Sequence, residues 1–455
     1  MITVIYLLIL WLLSLNRIKL KNLKEAADEV KLKKRFFDKN FNKEEEPDYS
    51  EHTLIGYKAG DNPVYTSDKA KHIFVCGTTG AGKTIALSNY IKRAIEKDYP
   101  LLIVDGKGDI NDDSMLDIVN KLKGDKKLYV INMVDVEKSN KYNPFINANP
   151  TICKDMLINM TEWSEEHYKA NTERYIERLV RLLNFAGIKL SFKNIIDYMP
   201  SKEFQVLSAK LCGENKITKE QHMSNIELTK ISGDIANSAC ARFSGIYESE
   251  IGNIFDDNGI DIHKALSEKA IILFILNPLS YPELSPLLGR LILIDAKKAV
   301  SKMFTKKIAD RLFFIFDEIN VYASPTLIDL INKSRSAGVT CIPATQCLSD
   351  LEYIAGEAFK NQIIENCNNY IIMRQNAPKS AEEWANVIGT KQTMDVTYQI
   401  EQSGQMSAST GLGSARLVME YKYHPDIIKD FEIGEAIYLS KDDKITAKIK
   451  VNKPF

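Results

Sequence analysis

Short apolar runs alternate with segments of helical periodicity along most of the chain. Runs rich in Val, Ile, Leu and Phe predict buried strands. They lie at 72–76, 101–105, 128–132, 270–276, 311–317, 339–345, 369–374 and 435–440. Between them, apolar residues recur at helical spacing, as in 83–97, 285–304, 326–337 and 380–387. This alternation predicts βαβ units, and therefore an α/β fold with a mostly parallel central sheet.

Residues 150–265 interrupt the alternation. This stretch has hardly any strand-like run, and it is periodic as a helix at 166–183 and 225–243. We therefore predict an all-α domain at 150–265, inserted between two parts of the α/β domain at 53–149 and 266–455. Residues 53–68 show only short extended pieces, and the Ser- and Gly-rich stretch 402–414 predicts a loop.

The first fifteen residues differ from the rest, since Ile2 to Leu15 carry no charge. As a helix this run is about 21 Å long, shorter than the ~30 Å hydrocarbon core of a bilayer. It predicts a short membrane anchor at 1–15 with the bulk of the chain on the cytoplasmic side, because basic residues follow it. The alternative is an apolar helix packed on the protein body. Residues 16–52 form a basic juxtamembrane linker, since 16–43 carry ten Lys or Arg against four Asp or Glu.

The overall composition is that of a soluble globular protein, with 60 Lys and Arg balanced by 60 Asp and Glu. This balance excludes a protein that coats nucleic acid through bulk positive charge. Any DNA-binding surface would have to be a local basic region, formed when subunits assemble, and its binding would be sensitive to salt. The seven Cys include no Cys-x-x-Cys pair, which is typical of reduced thiols in the cytosol.

A glycine-rich segment, GTTGAGKT at 77–84, matches the phosphate-binding loop pattern G-x-x-x-x-G-K-[ST]. It lies directly after a predicted strand and directly before a predicted helix, where backbone N–H groups can bind phosphates. Lys83 is expected to reach the β- and γ-phosphates, and the Thr84 hydroxyl to bind Mg²⁺. The predicted ATP-binding residues are Gly77, Thr78, Thr79, Gly80, Ala81, Gly82, Lys83, Thr84 and Ile85.

The second motif, FFIFDE at 313–318, has two acidic residues at the end of another apolar run. Asp317 is expected to hold the Mg²⁺ shell, and Glu318 to polarise an attacking water. This pair favours a hydrolase over a kinase. More than 230 residues separate Thr84 from Asp317, a gap that the inserted helical domain explains without a long structureless loop.

The choice of nucleotide depends on a third motif. Asp105-Gly-Lys-Gly108 matches the D-x-x-G pattern of GTPases, but the guanine-reading pattern N-K-x-D does not occur in the chain. ATP is therefore favoured over GTP.

Several separated motifs together resemble the type IV secretion coupling proteins, the TraG/TraD-like branch of the FtsK/HerA superfamily of P-loop translocases. Besides the two motifs above, they are IVDGKGD at 103–109, YNPF at 142–145, KSRSAG at 333–338, ATQ at 344–346, HPDIIK at 424–429 and GEAI at 434–437. The resemblance covers residues 56–440.

The resemblance implies a RecA-like motor that uses ATP and Mg²⁺, assembles as a homohexamer around DNA and is anchored at the cytoplasmic membrane. It further implies a relaxase or relaxosome and type IV secretion channel subunits as partners. Arg335 matches the family's arginine finger, which acts on the ATP of a neighbouring subunit. Gln346 matches the residue that senses the γ-phosphate or positions water, and Arg374 is a weaker sensor candidate.

Two alternatives remain open from the sequence. One is a FtsK/HerA-like translocase in segregation, repair or secretion-system assembly. The other is a membrane scaffold that binds ATP without hydrolysing it, which the presence of Lys83, Asp317, Glu318 and Arg335 disfavours.

Overall fold

The computed structural model describes residues 49–69, 71–306, 308–403 and 406–455, with the side chains of 394–415 excepted. The predicted anchor at 1–15 and the basic segment through residue 48 lie outside these residues. The chain divides into two units, Met1–Glu51 and His52–Phe455, and the elements below belong to the second. In the described part of the chain, no helix combines the length and apolar character needed to cross a membrane.

Thirteen strands are described. They are β1 His52–Lys58, β2 Asn62–Ser67, β3 Ile73–Cys76, β4 Leu101–Asp105, β5 Leu128–Asn132, β6 Ile271–Ile275, β7 Leu312–Asp317, β8 Val339–Thr345, β9 Asn369–Met373, β10 Thr390–Ser403, β11 Met406–Tyr421, β12 Glu435–Ser440 and β13 Ile445–Val451.

The α-helices are numbered in chain order. They are α1 Lys83–Glu96, α2 Met115–Leu122, α3 Pro150–Met160, α4 Glu166–Ala186, α5 Phe192–Tyr198, α6 Ser201–Gly213, α7 Lys219–Tyr247, α8 Ile262–Ser267, α9 Leu284–Met303, α10 Pro325–Ser334, α11 Leu348–Asn366, α12 Pro378–Ile388 and α13 Pro425–Lys429.

Eleven strands form one mostly parallel sheet in the order β2-β1-β13-β12-β9-β3-β8-β7-β4-β6-β5. Strands β9 to β5 in this order are parallel, whereas β12, β13, β1 and β2 extend the sheet antiparallel. The strand β3, which precedes the glycine-rich loop, therefore lies inside the sheet between β8 and β9. The α/β class predicted from the apolar runs is confirmed.

The central strands are buried on both faces of the sheet, as their continuous apolar runs require. All residues of β3, β4, β6 and β8 are buried. Alternate side chains of each strand enter two separate apolar cores. Such a sheet holds the carboxyl ends of its strands in fixed positions, and these ends carry the chemistry described below.

Between β5 and β6 the chain forms helices α3 to α8. Helix α4 continues beyond the predicted segment 166–183 at its carboxyl end, and α7 continues beyond 225–243 at both ends. Tertiary contacts can continue a helix beyond its clearest apolar period. Within this stretch, the side chain of Thr218 accepts a hydrogen bond from Gln221 N, and the Gln221 side chain accepts one from Thr218 N. This reciprocal capping box begins α7. The domain boundaries at 150 and 265 remain a prediction.

The predicted loop at 402–414 is wrong. Apart from residues 404 and 405, this stretch belongs to the long antiparallel strands β10 and β11, which pair with each other from Thr390↔Tyr421 to Ser403↔Met406. Its Ser and Gly content suggested a loop, but the backbone pairing of a ribbon does not require apolar side chains. Residues 53–68, predicted as short extended pieces, form the hairpin β1–β2.

Candidate nucleotide-binding site

The glycine-rich loop lies between the carboxyl ends of β8 and β9. Thr78 N donates to Arg374 O at 3.0 Å, which fixes the loop to the residue after β9. Gly80 (φ +77°) and Gly82 (φ +105°) have left-handed backbone conformations, which other residues adopt at a cost. The loop therefore curls back on itself and presents its N–H groups at the edge of the sheet.

Close packing and an open helix end shape this loop. A Cβ atom on Gly77 would lie 2.6 Å from Met373 Cβ, so only glycine fits there. Gly82 caps α1 without a side-chain hydrogen bond, which leaves the first N–H groups of the helix for a ligand. Gly434 N donates to Ala81 O at 2.9 Å, so the segment before β12 supports the loop from the other side.

Lys83 begins α1 and is only 8% exposed. Its Nζ donates to Gly77 O at 2.9 Å and lies 3.3 Å from Glu318 Oε1. A buried ammonium group beside open backbone N–H groups attracts phosphate. The hydroxyl of Thr78 in the same loop is buried without a hydrogen-bond partner among the described residues, which fits a loop built to contact a polar ligand.

The acidic residues of the motif FFIFDE, Asp317 and Glu318, lie at the end of β7, next to this loop. Asp317 is 3% exposed, and its Oδ1 accepts from Glu318 N at 3.0 Å. Tyr322 supports the strand end, since its hydroxyl donates to Asp317 O at 3.0 Å. Burial, followed by the charges of Glu318 and Asp105, raises the pKa of Asp317 to about 8. A nearby cation would stabilise the ionised form of a carboxyl group in this environment.

Glu318 adopts a left-handed backbone conformation with φ 47° and ψ 55°. Such a conformation costs about 1–3 kcal/mol in a residue other than glycine, and it occurs most often at functional sites. Gln346 Nε2 donates to Glu318 Oε1 at 3.2 Å, and Thr79 Oγ1 donates to Gln346 Oε1 at 3.0 Å. The glycine-rich loop, Gln346 and Glu318 are thus connected by hydrogen bonds.

The donor set fits Mg²⁺ held partly by water and phosphate. Thr84 lies in the first turn of α1. Asp317 ends β7, and Gln346 directly follows the neighbouring strand β8. Among the residues that the structure describes, no three or more His, Cys, Asp or Glu side chains converge as a metal site. Mg²⁺ bound with nucleotides commonly has one or two protein ligands, with waters and phosphates completing its shell.

Arg335 does not lie at this site. It is exposed and begins a short 3₁₀ turn before β8, whereas Gln346 follows the other end of the same strand. Seven residues of strand separate these ends by about 20 Å. The charge of Arg335 contributes, after burial, to lowering the pKa of His72, which directly precedes β3 at this same edge. Arg374, in contrast, lies beside the loop through its contact with Thr78.

The sequence missed one acidic residue at the site. Asp105 pairs in register with Asp317 across β4 and β7, although in the sequence its motif supports only the comparison with GTPases and the family resemblance. The sequence signal for this residue is its position: Asp105 ends β4, the first strand after the helix α1 that follows the glycine-rich loop. A parallel neighbour would bring this Asp to the same edge of the sheet.

Comparisons with known proteins agree with this fold. Residues 311–421 match the family model described as the TraM recognition site of TraD and TraG. A Mycoplasma pneumoniae protein, described as uncharacterized, is 32% identical over 115 residues, which are 25% of this chain and 73% of that protein. A second protein of that organism is 46% identical over 39 residues, 9% of this chain and 32% of that one.

Solved structures share the architecture over nearly the whole chain. The bacterial conjugative coupling protein TrwBdeltaN70 in its unbound form has a TM-score of 0.62 at 15% identity and covers 90% of both chains. The plasmid coupling protein TrwB in complex with ADP and Mg²⁺ has a TM-score of 0.61 at 15% identity, over 88% of this chain and 90% of that one. VirB4 of Thermoanaerobacter pseudethanolicus has a TM-score of 0.54 at 12% identity, over 89% and 97%.

The fold and the glycine-rich loop define a nucleotide-binding P-loop protein with a RecA-like sheet. With the match at residues 311–421 and the architecture shared with TrwB, the chain is similar to the TraG/TraD-like type IV coupling proteins of the P-loop translocase class.

Proposed function

We propose that this protein is a homohexameric ATPase that uses ATP hydrolysis to move DNA into a type IV secretion channel during conjugation. The observation that carries the proposal is the meeting of Lys83, Glu318 and Gln346 at one edge of the sheet. A protein that only binds nucleotide needs the first of these residues. Hydrolysis needs a base and a polar group that holds the attacking water.

The residues of the loop would bind and orient the nucleotide. The N–H groups at the start of α1 and the ammonium group of Lys83 would hold the phosphates, while Thr84 and Asp317 would hold Mg²⁺. This ion would supply charge stabilisation for the transferring phosphoryl group. Support for this part comes from TrwB, which has been solved with ADP and Mg²⁺ and with a non-hydrolysable ATP analogue.

Glu318 would accept the proton of the attacking water, and Gln346 would hold that water in place. The hydrogen bond between Gln346 and Glu318 brings both side chains to the same point. The contact between Lys83 and Glu318 gives the ammonium group a partner before nucleotide binds. Phosphate binding would replace this partner and leave the Glu318 carboxylate for the water.

Arg335 would act on the site of a neighbouring subunit. It is exposed at the edge of the sheet opposite its own glycine-rich loop, so it has no route to the phosphates bound by its own chain. An arginine finger supplied by a neighbour would complete the site only in a ring. This placement supports the hexamer of the proposal.

DNA and the conjugation apparatus are the proposed partners. The match of residues 311–421 to a TraM recognition site supports docking of a relaxosome component on this part of the chain. The apolar residues 1–15 are proposed to hold the protein at the cytoplasmic membrane, with the motor in the cytoplasm. The equal numbers of acidic and basic residues require that DNA contacts be local, which predicts binding that weakens steeply with salt.

The test is ATP hydrolysis by the full chain with and without DNA. We expect DNA, single- or double-stranded, to raise the rate, and Lys83→Ala to abolish the rate under both conditions. A rate that does not respond to either form of DNA would contradict the proposed translocase. Hydrolysis that persists in Lys83→Ala would show that the activity does not come from this site.

A further inference from the structure

The loop after β4 lies directly against the end of β7. Gly106 N donates to Asp317 O at 3.2 Å, and a Cβ atom on Gly106 would lie 2.9 Å from the carbonyl oxygens of both Asp317 and Glu318. Gly108 has φ +74°, and its Cβ would lie 2.1 Å from Leu276 O. Gly106 thus allows the loop to approach the end of β7, and Gly108 allows it to approach the end of β6, where other residues would not fit.

This approach buries the carboxyl group of Asp105 beside that of Asp317. Asp105 is 1% exposed, and the two residues are paired in register on adjacent parallel strands. Asp105 Oδ1 accepts from Lys107 N at 2.9 Å. Its second oxygen, Oδ2, is buried and has no hydrogen-bond partner among the described residues. A buried oxygen without a partner costs about 1–3 kcal/mol.

The nearby lysine does not satisfy this oxygen. The Nζ of Lys107 is bonded to the carboxylate of Asp109, which follows in the same loop. Two buried carboxyl groups therefore adjoin each other. The N–H of Gly108 lies near enough to lower the pKa of Asp105, but among the described residues Oδ2 has no hydrogen-bond partner of normal geometry. Burying two ionised carboxyl groups side by side becomes favourable when a divalent cation or its bound water lies within reach.

We propose that Asp105 is a positioning residue for Mg²⁺: its Oδ2 accepts a hydrogen bond from a water bound to the ion that Thr84, Asp317 and the nucleotide phosphates hold. The proposal rests on the proposed nucleotide site. It assigns a role to the Asp-Gly-Lys-Gly motif, which resembles a GTPase pattern without the guanine-reading residues. Mg²⁺ keeps several waters when bound with nucleotide, and groups that orient such ligands affect metal affinity about 10–100-fold.

The test is a Mg²⁺ titration of the full chain in the presence of a fluorescent ADP analogue, mant-ADP. The readout is the Mg²⁺ concentration at half-maximal change in nucleotide binding. We expect this concentration to rise about 10–100-fold in Asp105→Asn and in the smaller Asp105→Ser. Binding of mant-ADP in EDTA is expected to stay at the wild-type level, because Asp105 does not contact the glycine-rich loop. Asp112→Asn is the matched control, since it removes an acidic charge from the same loop at an exposed position and leaves the Lys107–Asp109 pair intact.

A wild-type Mg²⁺ midpoint in either Asp105 variant would overturn the proposal. Loss of mant-ADP binding in EDTA would also overturn it, because the substitution would then act on the phosphate loop and not on the metal. The same shift in Asp112→Asn would show a general effect of charge and count against Asp105. Hydrolysis that DNA does not stimulate would refute the proposed translocase, yet it would leave this binding comparison intact.

Discussion

The Nζ atom of Lys83 lies 3.3 Å from Oε1 of Glu318, and both side chains are almost fully buried. The group proposed to bind phosphate and the group proposed to activate water therefore neutralise each other before nucleotide binds. Gln346 donates to the same Glu318 oxygen. In the proposed mechanism, nucleotide binding and the freeing of the base would be coupled through this single carboxylate.

The first prediction concerns Glu318→Gln. This change removes the base and the ionic partner of Lys83 while keeping the size of the side chain. The rate of ATP hydrolysis should fall about 10²–10⁴-fold, and affinity for the nucleotide should rise, because Lys83 no longer has a competing carboxylate. Steady-state hydrolysis and equilibrium binding of mant-ATP measure the two effects. Glu357→Gln, at an exposed position on α11, is the control and should change neither.

The second prediction concerns Arg335→Ala. The variant should bind nucleotide normally, because Arg335 lies away from the glycine-rich loop of its own chain, but the hydrolysis rate should fall about 10³–10⁵-fold. Mixing it with Lys83→Ala subunits should restore activity, since an intact loop can then face an intact arginine. Mixed samples that stay inactive would show that Arg335 does not complete a neighbour's site.

The third prediction concerns Gly106→Ala. The added methyl group would press on the carbonyl oxygens of Asp317 and Glu318 at 2.9 Å. The strand end must shift, so the free energy of unfolding should fall by about 1–3 kcal/mol, and hydrolysis should fall with it. Gly213→Ala is the control, because nothing lies within 4 Å of a Cβ added there. Urea denaturation compares the two variants, and equal stabilities would contradict the observed packing.

The fourth prediction concerns pH and His72. Burial, and to a lesser extent the Arg335 charge, lower the pKa of His72 to about 4, and its Nδ1 accepts a hydrogen bond from Cys341 N. The folded protein keeps this imidazole neutral down to pH 4, whereas the unfolded chain protonates it below its ordinary value near 6.5. Its contribution to stability is therefore complete above pH 6.5 and is lost as the pH falls towards 4, by about 3 kcal/mol.

Asn is the appropriate replacement at this position, because His72 has φ 57° and Asn tolerates that conformation. His72→Asn should be less stable than the wild type at pH 7 but lose less stability between pH 6.5 and 4. Denaturation of the full chain at several pH values measures this difference. Identical pH slopes for the two proteins would exclude His72 as a source of the acid sensitivity.

The sequence predicts the parts of this fold that depend on local patterns. The apolar runs at 101–105, 128–132 and 339–345 coincide with β4, β5 and β8. For β4 and β8 the reason is that a strand buried on both faces needs apolar residues throughout. The glycine-rich loop is equally local, since its spacing is set by the phosphates that it binds. His424, the first residue of the motif HPDIIK, caps α13 by accepting from Asp426 N.

Features that depend on pairing between distant segments could not be predicted. β1 pairs with β13 although nearly the whole chain separates them, and the ribbon of β10 and β11 has the composition of a loop. The same limit applies to Asp105, because its place beside Asp317 follows from the order of strands in the sheet. The left-handed conformation of Glu318 is likewise imposed by its surroundings and has no signal in the sequence.

Movement along DNA is the central claim, and displacement of streptavidin from end-biotinylated DNA by the full chain tests it most directly. Single- and double-stranded DNA should both be offered, with Glu318→Gln as the variant that binds ATP without turning it over. We predict that the wild type with Mg²⁺ and ATP displaces streptavidin from at least one form of DNA, and that Glu318→Gln displaces none. ATP hydrolysis by the wild type without displacement from either form would contradict a translocase.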